Sequence, residues 1–286
     1  MERKKIKGDF YLNSYAKINL YLDILARKAD GYHQIRTIFA EIGLHDSINF
    51  TLTKNRDIQI LASTDFVNTQ NNIIYKVAFF IREYYEVSSG VRIELQKNIP
   101  VAAGLGGGSS NAAATIRALS RLWELGLDHF RMHEIATRFG SDINFFLEGG
   151  CALGEDRGQI ITPLPDCEID NILLVNPGFG ISSEEAYNAG SVNTKPGGDW
   201  SALLHTRDTR LCYNALEKGI TRRFPLIGKL ILEMKELGAV NAILSGSGPT
   251  VIGFFSDSVS TIRASEHFTR KNFWNYITKT NKRRTR

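Results

Sequence analysis

The chain has 286 residues, 43% of them hydrophobic and 23% charged, a composition typical of a globular protein with one or two domains. Its formal net charge of +5 suggests a nucleic-acid partner, but five positive charges lie in the last eight residues, so the basic ends are interpreted as solvated termini and no nucleic acid is predicted. Three cysteines without a CxxC pair and no apolar run of membrane-spanning length exclude a disulfide framework and a membrane protein, and predict a soluble cytoplasmic chain.

Strands are predicted in the first part of the chain. Residues 16–24 alternate apolar and polar side chains, with Lys17 and Asn19 on the polar face, which predicts a half-buried strand. A turn signal at Asp30-Gly31 comes next. Three later stretches rich in β-forming residues are predicted strands: 35–42, 47–53 and 91–96.

Helices dominate the predicted elements that follow. Residues 71–86 have the composition of a helix, and from Ser110 apolar residues recur at spacings of three and four, so that they share one face of a helix that Gly126 closes. A third helix is predicted over 129–139, ending at Gly140.

The proline-containing stretch at residues 163–166 is the predicted domain boundary, which divides the chain into domains 1–163 and 164–286. The second half is predicted to contain a strand at 171–177, helices at 183–190 and 226–237, and a strand pair within 241–255. Because strands and helices mix without regular βα alternation, the fold class is α+β.

A glycine-rich stretch, "PVAAGLGGGSSNAAA" at 100–114, has four glycines within five positions between a predicted strand and a predicted helix. Bare backbone at a helix N-terminus presents N–H groups to an anion, which favours phosphate binding. The stretch lacks the lysine of a GxxxxGK[ST] loop and the last glycine of GxGxxG. The alternative is a tight corner before a helix that Ser109 or Ser110 caps.

This stretch resembles the second signature of the GHMP kinase superfamily, and three further segments extend the resemblance over nearly the whole chain. They are "AKINLYL" with "DGYH" near the start, "GSDINFF" in the middle and "SGSGPT" near the end. Within the superfamily the pattern is similar to the kinases of 4-diphosphocytidyl-2-C-methyl-D-erythritol, and "DGYH" is the segment that separates them from their relatives.

The resemblance implies a fold and an activity. The fold is a ribosomal protein S5 domain 2-like N-terminal domain that binds ATP, followed by a ferredoxin-like substrate domain. The activity is ATP-dependent phosphorylation of the 2-hydroxyl of 4-diphosphocytidyl-2-C-methyl-D-erythritol in the non-mevalonate isoprenoid pathway. The sequence leaves the oligomeric state open between a monomer and a homodimer. Mg²⁺ would accompany the nucleotide; the sequence shows no dedicated carboxylate cage, and Ser110 is a candidate contact.

Two residues match the catalytic pair of the family. Asp142 in "GSDINFF" would accept or orient the proton of the attacking hydroxyl, and Lys17 would keep that aspartate ionised and steady the transferring charge. From the residues alone, Asp142 also fits a helix N-cap and Lys17 a solvated lysine on a half-exposed strand.

The resemblance also implies two groups of binding residues. ATP would contact Lys97, Pro100, Ala102, Ala103, Gly104, Leu105, Gly106, Gly107, Gly108, Ser109, Ser110, Gly246, Ser247 and Gly248, with Ser245 beginning the second loop. The acceptor would contact Asn19, Tyr32, His33, Asn111, Ser183 and Tyr187, the aromatic rings gripping cytosine. The alternatives are a solvated Lys97 and ordinary loop or core tyrosines.

Three residues depart from the family pattern, since Tyr15 and Asn144 replace usual prolines and Ser141 a usual alanine. None of these changes removes a functional group. Two rival functions stay open: a GHMP kinase acting on homoserine or a mevalonate derivative, and a non-catalytic protein that binds nucleic acid through its basic ends.

Overall fold

The computed structural model describes residues 9–63, 71–190 and 197–284. The basic residues Arg3, Lys4, Lys5, Lys7 and Arg286 therefore lie outside the described chain. The strands are β1 Asp9–Arg27, β2 His33–Thr53, β3 Ile58–Ala62, β4 Gly90–Gln96, β5 Cys151–Asp156, β6 Ile160–Leu164, β7 Ile172–Asn176, β8 Tyr213–Asn214, β9 Asn241–Leu244, β10 Val251–Phe254 and β11 Trp274–Thr278. The helices are α1 Ile73–Tyr84, α2 Gly107–Leu122, α3 His129–Phe139, α4 Ile143–Glu148, α5 Ser183–Ala189, α6 Trp200–Thr206, α7 Glu217–Arg223, α8 Pro225–Glu236 and α9 Ser258–Arg270.

The chain forms two compact units, each built from separate segments. The first unit comprises Met1–Tyr15, His45–Ile99 and Gly107–Leu147, and the second comprises Ala16–Leu44, Pro100–Gly106 and Glu148–Arg286. The boundary after residue 163, which was placed at the proline-containing stretch, stays a prediction.

The first unit places helices against a sheet. The second half of β2 pairs antiparallel with β4, which pairs parallel with β3. Helix α1 begins where the Asn72 side chain accepts a hydrogen bond from the Ile74 amide, and α3 begins where Asp128 accepts one from the Arg131 amide. Helix α3 ends at Gly140. The helices predicted at 71–86 and 129–139 are therefore confirmed.

The second unit contains two groups of strands. In one, neighbouring strands follow the order β8–β1–β2–β5–β6, with Tyr21 of β1 opposite Tyr213 and Ile35 of β2 opposite Asp156. The other is an antiparallel sheet in the order β11–β7–β10–β9, on which helices α8 and α9 pack. Every residue of β7 and β10 is buried, because the sheet contributes a central layer of the hydrophobic core.

The strand predicted at residues 16–24 is longer and more buried than expected. Both of its faces are buried, so the prediction of a half-buried strand is wrong. The polar face is buried because its side chains satisfy one another: Tyr21 donates a hydrogen bond to Asp23, whose side chain is 1% exposed. The alternating polarity of this strand therefore separates a buried apolar face from a buried face of hydrogen-bonded polar side chains.

Other boundaries also differ from the predictions. The strands predicted at 35–42 and 47–53 are one strand, β2, because the intervening residues continue the extended backbone without a turn. Helix α2 starts at Gly107, three residues before Ser110. The strand pair in 241–255 is confirmed as antiparallel β9 and β10. Within the described residues, no helix has both the length and the apolar character that crossing a bilayer requires.

Candidate active site

Two glycine-containing loops touch through their backbones in the second unit. A Cβ added at Gly104, whose φ is +73°, would lie 2.0 Å from the Ser245 carbonyl oxygen and 2.8 Å from the Gly248 nitrogen. The Ser245 hydroxyl donates a hydrogen bond to the Gly104 carbonyl at 3.2 Å. Only glycine fits this close approach, so the structure brings part of the predicted glycine-rich loop, residues 100–106, together with the predicted loop at 245–248.

The first loop is strained next to this contact. Ala102 has a φ of +51°, in the left-handed region that non-glycine residues seldom adopt. Its carbonyl accepts a hydrogen bond from the Ile181 amide at 3.1 Å, which holds the conformation. Ala103 and Leu105 are buried on either side of Gly104, and they anchor the loop in the core. Such fixed strain is typical of functional loops.

Lys17 lies beside both loops rather than in solvent. Its backbone amide donates to the Leu105 carbonyl at 3.0 Å, and a Cβ placed on Gly246 would be 3.0 Å from its Nζ. The residue is 4% exposed, and Nζ donates to Asn19 Oδ1 at 2.6 Å. Asn19 in turn donates to Thr37 at 2.7 Å. The alternative of a solvated strand lysine is wrong, because this network holds the ammonium group at the loops.

Three aromatic residues predicted to bind a base lie in the same unit. The rings of His33 and Tyr187 stack with centroids 5.4 Å apart and planes 17° apart. Burial, followed by the charge of Arg27, lowers the pKa of His33 and favours a neutral imidazole. Tyr32 is 57% exposed, and the Arg157 guanidinium lies 3.9 Å from its ring centroid. Ser183 begins helix α5, one turn before Tyr187.

In the first unit, Lys97 forms a buried ion pair that the sequence did not indicate. Its Nζ is 2.8 Å from Asp46 Oδ2, and the Asp46 side chain is fully buried. Asp46 Oδ1 accepts hydrogen bonds from the amides of Asn98 and Ile99 at 2.7 and 2.8 Å. Burial lowers the pKa of Lys97, and Asp46 opposes that shift. An aspartate within the β-rich stretch "HDSINF" was the available signal.

The start of α2 carries two of the predicted contacts. Ser110 is 4% exposed and accepts a hydrogen bond from the Ser14 hydroxyl at 2.7 Å. Asn111 is 3% exposed, and within the described chain its buried Oδ1 has no hydrogen-bond partner. Leaving a buried acceptor unpaired costs about 1 to 3 kcal/mol, so such an atom suits a position that a ligand completes.

Asp142 lies, half buried, in the short link between α3 and α4. Asn144, at the position of a family proline, joins these helices: its amide donates to Thr137 at 2.9 Å and its oxygen lies 3.1 Å from His133 Nδ1. The other departure, Tyr15, packs its ring at 5.0 Å from that of His45. Side-chain contacts therefore replace the proline restraint at Asn144.

The fold and the paired glycine loops define a class of kinase. Residues 72–150 match the GHMP kinases N terminal domain, and residues 199–272 match the GHMP kinases C terminal family. A homoserine kinase from Cytophaga hutchinsonii has the same fold, with a TM-score of 0.70 at 15% identity over 99% of this chain and 98% of that one. The chain has the α+β GHMP kinase fold, as predicted.

Curated relatives narrow the class. A 4-diphosphocytidyl-2-C-methyl-D-erythritol kinase from a Geobacillus species is 37% identical over 246 residues, 83% of this chain and 85% of that protein. The same-named enzyme of Thermodesulfovibrio yellowstonii is 35% identical over 280 residues, 93% and 96% of the two chains. A solved 4-(cytidine 5'-diphospho)-2C-methyl-D-erythritol kinase superposes with a TM-score of 0.82 at 29% identity, covering 95% of this chain and 99% of that one. This chain belongs to the 4-diphosphocytidyl-2-C-methyl-D-erythritol kinase family.

Proposed function

We propose that this protein transfers the γ-phosphoryl group of ATP to the 2-hydroxyl of 4-diphosphocytidyl-2-C-methyl-D-erythritol, in the non-mevalonate isoprenoid pathway. Membership of the kinase family supports the reaction. The observation that carries the choice of acceptor is the stacked pair of His33 and Tyr187, since a planar aromatic surface suits a pyrimidine base. We further propose that the enzyme works in the cytoplasm as a monomer or homodimer, without nucleic acid.

The glycine loops have the features that a phosphate site needs. Backbone contact at Gly104 leaves no room for a side chain. Helix α2 follows the loop, and the positive end of its dipole lies at its first residue, Gly107. The unpaired Oδ1 of Asn111 accepts hydrogen bonds, so it suits a hydroxyl of the acceptor substrate, the group of contacts to which Asn111 was assigned. We propose that ATP contacts Lys97, Pro100, residues 102–110, Gly246, Ser247 and Gly248.

Mg²⁺ is proposed to enter with the nucleotide, and the Ser110 hydroxyl fits it as an oxygen ligand. When bound, it would neutralise charge on the nucleotide phosphates.

Lys97 and Asp46 also support the proposed ATP site, because their buried ion pair fixes the segment that leads into the glycine-rich loop.

The chemical step is assigned to two residues. As the acceptor oxygen forms its bond to the γ-phosphorus, the bond from that phosphorus to ADP breaks, and Asp142 accepts the hydroxyl proton. Lys17, buried by Asn19 and the glycine loops, supplies a positive charge that stabilises the transferring phosphoryl oxygens.

The base is proposed to bind at the aromatic residues. A base between two rings needs centroids about 7 Å apart, from two stacking contacts of about 3.5 Å. His33 and Tyr187 are closer than this, at 5.4 Å, so cytosine stacks on an outer face of the pair or separates the rings. Ser183 and Asn19 complete the proposed acceptor contacts.

An acceptor comparison tests the proposal. Purified protein with ATP and Mg²⁺ is offered the cytidyl substrate, homoserine or mevalonate at equal concentration, and ADP release is measured. We expect turnover with the cytidyl substrate alone. Preference for homoserine or mevalonate would assign the chain to another GHMP activity and leave the aromatic pair without its proposed role.

A further inference from the structure

Two histidines on helix α3 bring their ring nitrogens together outside the residues assigned to catalysis. His129 and His133 are four residues apart, so both project from one face of the helix. Their Nε2 atoms are 3.1 Å apart and their ring centroids 4.3 Å apart. The same i, i+4 spacing presents two zinc ligands in helical metal sites.

The neighbouring side chains fix the orientation of the His133 ring. Thr137 donates its hydroxyl proton to the His133 carbonyl at 2.9 Å, so its oxygen accepts the hydrogen bond from the Asn144 amide. Asn144 therefore directs its oxygen to His133 Nδ1 at 3.1 Å. Since that oxygen only accepts, Nδ1 donates its proton to it, and this contact turns Nε2 of His133 towards His129.

This arrangement is the one that metal-binding histidines have. A ligating imidazole commonly donates its outer N–H to an oxygen, which sets the tautomer and the ring orientation. Zinc binds imidazole nitrogen at about 2.0 to 2.1 Å, and two such bonds at angles of about 90° to 110° separate the nitrogens by about 2.9 to 3.4 Å. The observed 3.1 Å is the length of a hydrogen bond between the two rings and also lies within that range, so a bound ion would take the place of that hydrogen bond.

Access and chemistry indicate the class of ion. His129 is exposed and His133 half buried, so an ion can reach the two nitrogens from solvent. Imidazole prefers zinc, nickel, copper and similar ions, whereas Mg²⁺ prefers oxygen ligands. We propose that His129 and His133 form a binding site for one divalent transition-metal ion, with Asn144 as the positioning residue.

The test is a metal titration of the untagged, full-length chain after chelator treatment, with ZnCl₂ and NiCl₂ as probes in separate calorimetric experiments. The three cysteines are buried and do not offer a competing site on the folded surface. We expect one ion bound per chain and a thermal midpoint that rises with metal. Millimolar Mg²⁺ should not displace the ion.

Variants assign the binding to these residues. His129→Gln and His133→Gln should each weaken binding by at least about tenfold, and Asn144→Ala by about 10- to 100-fold at unchanged stoichiometry. His205→Gln is the matched control, since His205 is also exposed on a helix but directs its Nδ1 to the Ser201 carbonyl. Because His129 is exposed, its replacement should leave the circular dichroism spectrum and the free energy of unfolding unchanged.

Two results would overturn the proposal. One is the lack of saturable binding by the parent chain at micromolar metal. The other is unchanged affinity in the double variant His129→Gln with His133→Gln. Neither result bears on the kinase proposal, because phosphoryl transfer is measured separately with ATP and Mg²⁺.

Discussion

Replacing Gly104 by alanine tests the contact between the two loops. The new Cβ would lie 2.0 Å from the Ser245 carbonyl oxygen, so the loops must separate by more than 1 Å to reach ordinary contact. The left-handed φ adds about 1 to 2 kcal/mol, overpacking about 1 to 3 kcal/mol, and the hydrogen bond between Ser245 and Gly104 about 1 kcal/mol. We expect a loss of about 3 to 6 kcal/mol in the free energy of unfolding.

The Gly126→Ala variant measures the cost of backbone strain without a steric clash. Gly126 has a φ of +59°, but nothing lies within 4 Å of its added Cβ, so that variant should lose only the backbone contribution of about 1 to 2 kcal/mol. Urea unfolding of both variants and the parent gives the comparison. Gly104→Ala should also raise the KM for ATP, whereas Gly126→Ala should not. Equal unfolding free energies for the two variants would refute the claim that the loops touch through bare backbone.

Three further predictions concern the site. Asp46→Asn leaves Lys97 buried without its counter-charge and should lower the free energy of urea unfolding by about 3 to 5 kcal/mol, an expectation that unchanged stability would contradict. Since the pKa of His33 is lowered in the fold, its contribution to stability is present above pH about 6.5 and decreases as the pH falls below that value. His33→Gln should therefore flatten this part of the pH–stability profile. An identical profile would disprove the lowered pKa of His33. Tyr187→Ala should raise the KM for the cytidyl substrate about 5- to 150-fold with the KM for ATP unchanged, and equal effects on both would remove the stacking role.

Local signals predicted those parts of the fold whose boundaries are set by local chemistry. Helices α1 and α3 start at residues whose side chains cap them, Asn72 and Asp128, and α3 stops at Gly140. The glycine loop was also predictable from the sequence, because four glycines before a run of helix formers indicate a backbone that must approach another group closely. What it contacts, the loop at Ser245, came from the family resemblance.

Long-range pairing set the features that the sequence could not predict. Asp46 has the appearance of a solvated strand residue until the fold places Lys97 and two backbone amides beside it. Polar residues of β1 likewise seemed exposed, because alternation does not distinguish water from a buried hydrogen-bond network. The i, i+4 spacing of His129 and His133 is visible in the sequence. The orientation of the His133 ring is not, because it depends on Asn144 of another helix.

Replacing Asp142 by asparagine tests whether Asp142 accepts the proton of the acceptor hydroxyl during phosphoryl transfer. Asparagine caps a helix as well as aspartate does, so Asp142→Asn preserves the capping alternative while removing the proton acceptor. ADP release with the cytidyl substrate, ATP and Mg²⁺ is measured for this variant and the parent, together with urea unfolding of both. We expect rapid turnover by the parent and a fall in kcat of about 10²- to 10⁴-fold in the variant at unchanged stability. No turnover of the cytidyl substrate by the parent, or near-parental kcat in the variant, would contradict this expectation.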